Sequence, residues 1–410
     1  MDDKETPEII PDLETQRDAA IPEKPPGGGY GWVVTASVAI VNGHSWGINA
    51  AYSVSLAHFV KEDTFPGTQP LVYAMAGSLG VGVMMLISPF ATIMTRELGT
   101  RPTMLMGAVV QSVSLWFTRR RALANGIAIA GAGLGGLTYS LATGAIIRNM
   151  GLGWAYRILA IVSAVANIIC TLLIRTRYES QSRLAFDTSL FRRPEYLLVL
   201  SYGAFSMLGY FVLIFTLANY ANVIGLQSSQ ASMIPAFFMF GQAIGRPCVG
   251  WLSDRFGRIT LTFIMSFITG ILIFALWINA KTFGVLLAFA LVGGLSAGVF
   301  WVNISPVLVE VIGLEDLASG LSCLWVVMAA PATFSAPIAL EIYTGTGSYV
   351  GAQLFTAFMY IAAAFCMLLV RRVKIKSCVE DGKGSTPAEN ERLKAKEGGW
   401  MRSFIRLDIV

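Results

Sequence analysis

The chain has 410 residues, of which 55% are hydrophobic and only 13% are charged, and its mean hydropathy is +0.62. An average soluble domain carries about 25% charged residues, so these values exclude a water-soluble fold for most of the chain. The net charge of +5 gathers in the loops between apolar stretches, where it orients a membrane protein and gives no support for nucleic-acid binding.

Catalytic and metal-binding chemistry is also not indicated. The chain holds only two histidines, His44 and His58, and its five cysteines are scattered. No nucleophile, base and acid occur together at a motif spacing, so no enzyme is predicted. Neither a metal site nor a bound cofactor is predicted.

Ten apolar stretches follow an acidic, proline-containing segment, residues 1–30, that reads as a disordered tail. A membrane-spanning helix needs about 20 predominantly apolar residues. On that criterion the predicted spans are 31–60, 71–94, 122–147, 153–174, 197–224, 230–252, 258–279, 283–309, 317–341 and 348–370.

Arginine and lysine recur in every second gap between the spans. The positive-inside rule therefore predicts that these gaps and both termini are cytoplasmic. We expect a multi-pass protein of the plasma membrane. The longest polar interruption divides the spans into two parts. The predicted units are a front bundle, a central loop, a back bundle of six helices and a second cytoplasmic tail, at 31–174, 175–196, 197–372 and 373–410.

The front bundle contains an anomaly at residues 102–118. Basic turns flank this segment at 96–101 and 119–121. A chain that leaves and re-enters the cytoplasm needs about 40 apolar residues for two spans, and this segment is far shorter. We predict ten full crossings and a short or re-entrant helix at 102–118.

Three motifs identify a family. Residues 245–258, GRPCVGWLSDRFGR, resemble the signature loop of the major facilitator superfamily as carried in the second half of its members. Residues 28–32, GGYGW, and 116–128, WFTRRRALANGIA, are similar to two hallmarks of the monocarboxylate-porter family, particularly its fungal branch. The resemblance implies an all-α, two-bundle membrane protein with a shortened N-terminal half. It also implies secondary transport through the lipid bilayer by alternating access.

The basic turn of the second half is predicted to gate the inner face. Asp254, Arg255 and Arg258 would form a charge network with Arg119, Arg120 and Arg121 and with neighbouring helix ends, which locks one of two states. The alternative is that these charges are simple headgroup anchors. In the front turn the acidic position is occupied by Thr95, so that half's lock is expected to be weaker.

Arg246 is the predicted substrate-binding residue. It precedes Asp254 by eight positions, which is about 12 Å along a helix and places it near mid-depth. An arginine there is costly unless it faces a wet cavity or a partner. Its planar fork suits a carboxylate. The alternative is that it reaches the interface or pairs with a helix carbonyl.

Four further polar residues are predicted to shape the same site: Gln242, His44, Asn42 and Asn303. In the resembling family an aspartate stands one turn before the arginine and a lysine lies in the first span. Here Gln242 replaces that aspartate and the lysine is missing, so the family's proton coupling does not carry over. His44 stays a candidate for proton coupling, against the alternative of a hydrogen bond across helices.

The sequence thus predicts a transporter for a small organic anion or acidic metabolite. No ATP-binding motif occurs, so a gradient would supply the energy. The absence of the aspartate and lysine favours efflux of a larger acidic product, such as a fungal secondary metabolite. The alternatives are a monocarboxylate uptake permease and a transport-dead relative that senses or binds a partner.

Overall fold

A computed structural model describes residues 29–61, 70–98, 120–174 and 186–380, together with Val113, Trp116 and Phe117. The described part is helical, and every predicted span coincides with one helix or with two successive helices. The helices are α1 Tyr30–Lys61, α2 Pro70–Leu86, α3 Ser88–Leu98, α4 Arg121–Met150, α5 Leu152–Leu173, α6 Pro194–Val223, α7 Ser228–Phe256, α8 Arg258–Leu272, α9 Phe283–Ala297, α10 Val299–Ile312, α11 Leu317–Thr346 and α12 Val350–Glu380.

Eight stretches of these helices are both long and apolar enough to cross a membrane within the described residues. The two other predicted spans, α1 and α7, have 32 and 29 residues. At about 1.5 Å per residue each is longer than the roughly 30 Å hydrocarbon core. The prediction of an all-helical, polytopic protein is confirmed.

Two predicted spans are interrupted. The second divides into α2 and α3, with Pro89 in the first turn of α3, where its missing N–H has no helical partner to lose. The eighth divides into α9 and α10 at Gly298, whose φ of −83° and ψ of 7° lie outside the helical region. The break at Gly298 matters for the functional site because it lies beside Arg246.

Glycines set the helix spacing within and between the two halves. In the front half, a Cβ on Gly135 would lie 2.2 Å from the carbonyl oxygen of Gly43 on α1. Between the halves, a Cβ on Gly126 of α4 would lie 2.4 Å from the carbonyl oxygen of Arg246 on α7. Helices this close need small residues because lipid supplies no hydrophobic drive for packing. Residues 131–136 formally match a dinucleotide fingerprint, but they lie on α4 and take part in its close contacts with neighbouring helices.

Two apolar stretches of the front half are less buried than any stretch of the back half. Only 22% of the apolar stretch of α2–α3 and 17% of that of α5 are buried inside the protein, against 39–67% for the stretches of the back half. The back half contains the large core around Trp277 and Phe289. The first and last helices of the back half differ slightly from the predicted spans 197–224 and 348–370, since α6 begins at Pro194 and α12 continues to Glu380.

Most of the anomalous segment 102–118 lies outside the described residues. Its end is described: Phe117 packs against Trp32 with ring centroids 4.9 Å apart, and Trp116 packs against Tyr30 at 5.9 Å. The segment therefore ends beside the beginning of α1. The prediction that 102–118 does not cross the membrane stays a prediction.

We expect a topology reporter at residue 120 to lie on the same side of the membrane as one at residue 185, and on the opposite side from one at residue 65. The reason is that 102–118 is too short to cross and return. Impermeant labelling of single reporters in intact cells measures the side. A signal at 120 on the side of residue 65 would contradict the ten-crossing topology.

Candidate functional site

The arginine-rich end of the bundle contains a contact that joins the two halves. Asp254, near the end of α7, accepts hydrogen bonds from the backbone N–H groups of Ala122 at 3.1 Å and Leu123 at 2.9 Å. These are orphan donors of the first turn of α4, whose helix dipole also favours a negative charge. A back-half carboxylate thus caps a front-half helix.

Arg258 fixes that carboxylate from within the back half. Its Nε and Nη2 donate to Asp254 Oδ1 at 3.3 and 3.2 Å, and its Nη1 donates to Glu310 Oε1 at 3.0 Å. The contact therefore includes α4, α7, α8 and α10. We call Asp254, Arg258 and Glu310, with the first turn of α4, the lock.

The other predicted gating arginines are placed differently. Arg121 is buried, and its Nε donates to the carbonyl oxygen of Phe117 at 3.0 Å. Arg255 is exposed and stacks over the ring of Trp251, 5.6 Å from its centroid, outside the lock. Arg120 is exposed, and Arg119 lies outside the described residues.

In the front half, the Thr95 hydroxyl donates to the carbonyl oxygen of Ala91 at 2.8 Å, within its own helix. A threonine cannot supply the two carboxylate oxygens with which Asp254 binds two N–H groups. The end of that turn, residues 99–101, lies outside the described residues, so the prediction of a weaker lock in the front half stays a prediction.

Arg246 lies about 12 Å deeper along α7 and is only 4% exposed. Its Nη1 donates to the carbonyl oxygen of Ile129 on α4 at 2.7 Å. Its Nη2 donates to the Tyr210 hydroxyl at 3.0 Å and to Gln242 Oε1 at 2.5 Å, and the Tyr210 hydroxyl donates to Gln242 Oε1 at 2.8 Å. The guanidinium is thus held by neutral oxygens from both halves.

One of the three nitrogens of this guanidinium makes no hydrogen bond within the described part of the chain. Arg246 Nε has no hydrogen-bond partner among the described residues. It faces Gly298 at the break between α9 and α10, where a Cβ would lie 3.0 Å from Nε and 3.4 Å from Gln242 Oε1. A side chain at position 298 would therefore crowd the charged group.

Three of the predicted site residues lie elsewhere. Asn42 Nδ2 donates to the carbonyl oxygen of Ala128 at 3.0 Å, and His44 Nδ1 bonds with the Tyr139 hydroxyl. Both pairs join α1 to α4 inside the front half. Asn303 Nδ2 donates to Thr262 Oγ1 at 2.8 Å, inside the back half. Of the five predicted binding residues, the structure brings Arg246 and Gln242 together.

Sequence reasoning did not single out Asn125, which joins the halves between the lock and Arg246. Its Nδ2 donates to the carbonyl oxygens of Trp301 at 3.2 Å and Val302 at 2.6 Å on α10. Pro306 has no N–H to bond the Val302 carbonyl four residues earlier. The proline in the predicted span was a signal for this free carbonyl, but its partner on α4 could not be read from spacing.

The arrangement is suited to binding an anion. Among the described residues, no carboxylate contacts Arg246, so its charge is solvated only by neutral dipoles. A carboxylate would supply the opposite charge that these neutral partners lack, in a bidentate pair with the guanidinium. Because Ile129 belongs to the other half, such a guest would compete with an interdomain bond.

Known proteins resemble this chain over most of its length. A family model described as Major Facilitator Superfamily matches residues 199–401. The probable transporter MCH2 of Saccharomyces cerevisiae is 27% identical over 393 positions, covering 84% of this chain and 83% of that protein. Monocarboxylate transporter 10 of Rattus norvegicus is 22% identical and covers 93% of this chain and 86% of its own length.

Two further comparisons bear on function and fold. The agnestins efflux protein AgnL12 of Paecilomyces divaricatus is 26% identical over 65% of this chain, and the chain spans 61% of its length. The Escherichia coli fucose:proton symporter FucP superimposes with a TM-score of 0.58 at 12% identity, covering 83% of this chain and 98% of FucP.

The motifs, the two helical halves, the matched family model and the shared fold agree with one another. The resemblance of this chain to the major facilitator superfamily of membrane transporters, predicted from residues 28–32, 116–128 and 245–258, is therefore confirmed.

Proposed function

We propose that this protein transports a small organic anion or acidic metabolite by alternating access, with Arg246 as the substrate-binding charge. The observation that carries the proposal is the placement of Arg246. It is a buried guanidinium about 12 Å along α7 from Asp254, at the contact between the halves, with no carboxylate partner among the described residues. Charged groups in membrane spans typically mark a substrate or ion pathway.

The hydrogen bond from Arg246 to the Ile129 carbonyl supports a coupling of binding to movement. A carboxylate that takes both terminal nitrogens of the guanidinium would displace that carbonyl and weaken one tie between α4 and α7. The glycine contacts of these helices, at Gly126, Gly133 and Gly250, would then be freer to separate. Substrate would in this way favour the rocking of one half against the other.

The lock would control the opposite step. It ties the first turn of α4 to Asp254 and so holds the arginine-rich face closed. By the positive-inside rule we expect this face to be cytoplasmic, and we place the protein in the plasma membrane. Breaking two charge-assisted N–H bonds and the dipole contact would open it.

Several features favour export over uptake. Gln242 occupies the position from which an aspartate would exchange a proton, and it is engaged by Tyr210 and Arg246. His44 bonds with Tyr139 inside the front half, away from Arg246. A site without its own proton carrier suits a guest that leaves down its own gradient. The efflux function in the name of AgnL12 agrees with this direction, while that of monocarboxylate transporter 10 agrees with a carboxylate guest.

The Arg246→Ala variant should lose carrier-dependent flux of organic acids by at least about 30-fold, since truncating one partner of a buried charge-assisted contact typically costs 2–5 kcal/mol. Arg246→Lys should retain charge but lose most flux because lysine cannot make a bidentate contact. Efflux of radiolabelled acids from proteoliposomes is the measurement. Arg157→Ala is the matched control, because Arg157 stacks on Trp154 at the outer surface of α5.

Equal flux in the intact protein and Arg246→Ala would remove Arg246 from the substrate site. Absence of flux for every acid in the intact, correctly folded protein would favour the alternative of a non-transporting sensor. The shortened front half favours that alternative. The alignment with MCH2 is 393 positions long yet covers 84% of this 410-residue chain, which agrees with a segment missing here.

Asp254→Ala should open the arginine-rich face. Removal of a helix N-cap costs about 0.5–2 kcal/mol, which corresponds to about a 2- to 30-fold larger open population. The readout is the rate at which an impermeant maleimide labels a reporter cysteine, Ala122→Cys, from that face, relative to the same variants without the reporter. Arg255→Ala, which removes a charge outside the lock, should leave the rate unchanged. Equal rates in all three proteins would exclude the lock as a gate.

A further inference from the structure

A cluster of four aromatic side chains begins at Arg246 and extends across the boundary between the halves. Tyr210, whose hydroxyl binds Arg246, has its ring 5.8 Å from that of Trp301. Trp301 stacks on Trp325 with centroids 5.6 Å apart and ring planes 21° apart. On another side Trp301 meets Trp46 at 5.0 Å. We call Tyr210, Trp301, Trp325 and Trp46 the aromatic cluster.

The position of the cluster distinguishes it from an ordinary core. Trp46 belongs to α1 of the front half, while the other three rings belong to helices of the back half. By contrast, the fully buried Trp277 stacks on Phe289 inside the back half alone. Trp46 and Trp325 are half-buried, so the cluster is not sealed on all sides. A ring contact between two halves must open when those halves move.

The depth of the cluster matches that of the charge. Trp301 precedes Glu310 of the lock by nine residues, or about 13 Å along α10, and Arg246 lies about 12 Å from the lock along α7. At the charged end of this level, Arg246 Nε lies beside the break at Gly298 and has no hydrogen-bond partner among the described residues. One level of the bundle thus offers an anion anchor at one end and adjoining aromatic faces at the other.

An anion anchor beside aromatic faces matches a substrate with two chemically different ends. A short aliphatic acid would satisfy the guanidinium but would leave the indole faces of Trp46 and Trp301 without contact after they part. A flat ring could stack on them, because aromatic pairs attract through their quadrupoles as well as by burial of area. Pockets for small molecules typically combine apolar and aromatic walls with a few orienting polar groups.

We propose that the substrates are carboxylates that bear an aromatic or flat conjugated ring, with the carboxylate on Arg246 and the ring against Trp301. This inference rests on the proposed function, since it assigns the substrate class of the same site. It predicts that the protein binds an aromatic acid more tightly than an aliphatic acid of the same charge and similar size.

The test compares phenylacetate with cyclohexylacetate, two acids of equal charge and similar size that differ in the flat ring. Equilibrium binding to the full chain in lipid nanodiscs should be about 2- to 12-fold tighter for phenylacetate. Trp301→Leu should abolish the preference, and Trp301→Phe should keep part of it. Trp251→Leu, at an exposed ring on α7, is the matched control and should keep all of it.

The outcomes separate the two proposals. If the intact protein binds both acids equally, or if Trp301→Leu keeps the preference, the aromatic assignment is overturned while the anion site stands. If neither acid binds at any concentration that saturates related carriers, or if Arg246→Ala binds both as well as the intact protein does, the proposed function fails and the substrate class fails with it. Thermal unfolding of each variant verifies that it is folded.

Discussion

A guanidinium buried inside a membrane protein must be solvated by the protein, and this constraint organises the contact between the two halves. Placing an arginine at the centre of a spanning helix costs about 2.5–3.5 kcal/mol on insertion scales. Here the charge is offset by three neutral oxygens, from Ile129, Tyr210 and Gln242. Since Ile129 lies on the front-half helix α4, the group that stabilises the charge also ties the halves together. A charge met only by dipoles remains open to a stronger, negatively charged partner.

The remaining contacts between α4 and the back half follow the same principle of satisfying polar groups that the fold leaves free. Asp254 binds two N–H groups that begin α4, and Asn125 binds the Val302 carbonyl that Pro306 leaves without a donor. Glycine at position 126 lets the backbones approach closely enough for these bonds to form. From the lock to Arg246, the contact of α4 with the back half therefore includes backbone groups and a few polar side chains.

Much of the fold could be predicted from the sequence because the membrane requires it. Span length, basic turns and the motif that contains Asp254 depend on local composition, and the positions of Arg246 and Gln242 on one helix follow from a four-residue spacing. The aromatic neighbours could not be predicted. Trp301 lies on a different helix from Tyr210, and which rings meet is decided by helix rotation and crossing, which hydropathy does not encode. For the same reason His44 and Asn303 are polar residues in spans that serve helix packing in this structure.

The central claim is that the Arg246 guanidinium receives a carboxylate, and nitrogen-15 magnetic resonance of arginine-labelled protein in lipid tests it most directly. The Arg246 signals, assigned by their loss in Arg246→Lys, should shift on titration with phenylacetate, with the largest change at Nε and at the Nη that leaves Ile129. The signals of Arg258, which is paired in the lock, should stay in place. Saturating acid that leaves the Arg246 signals unmoved would contradict the account.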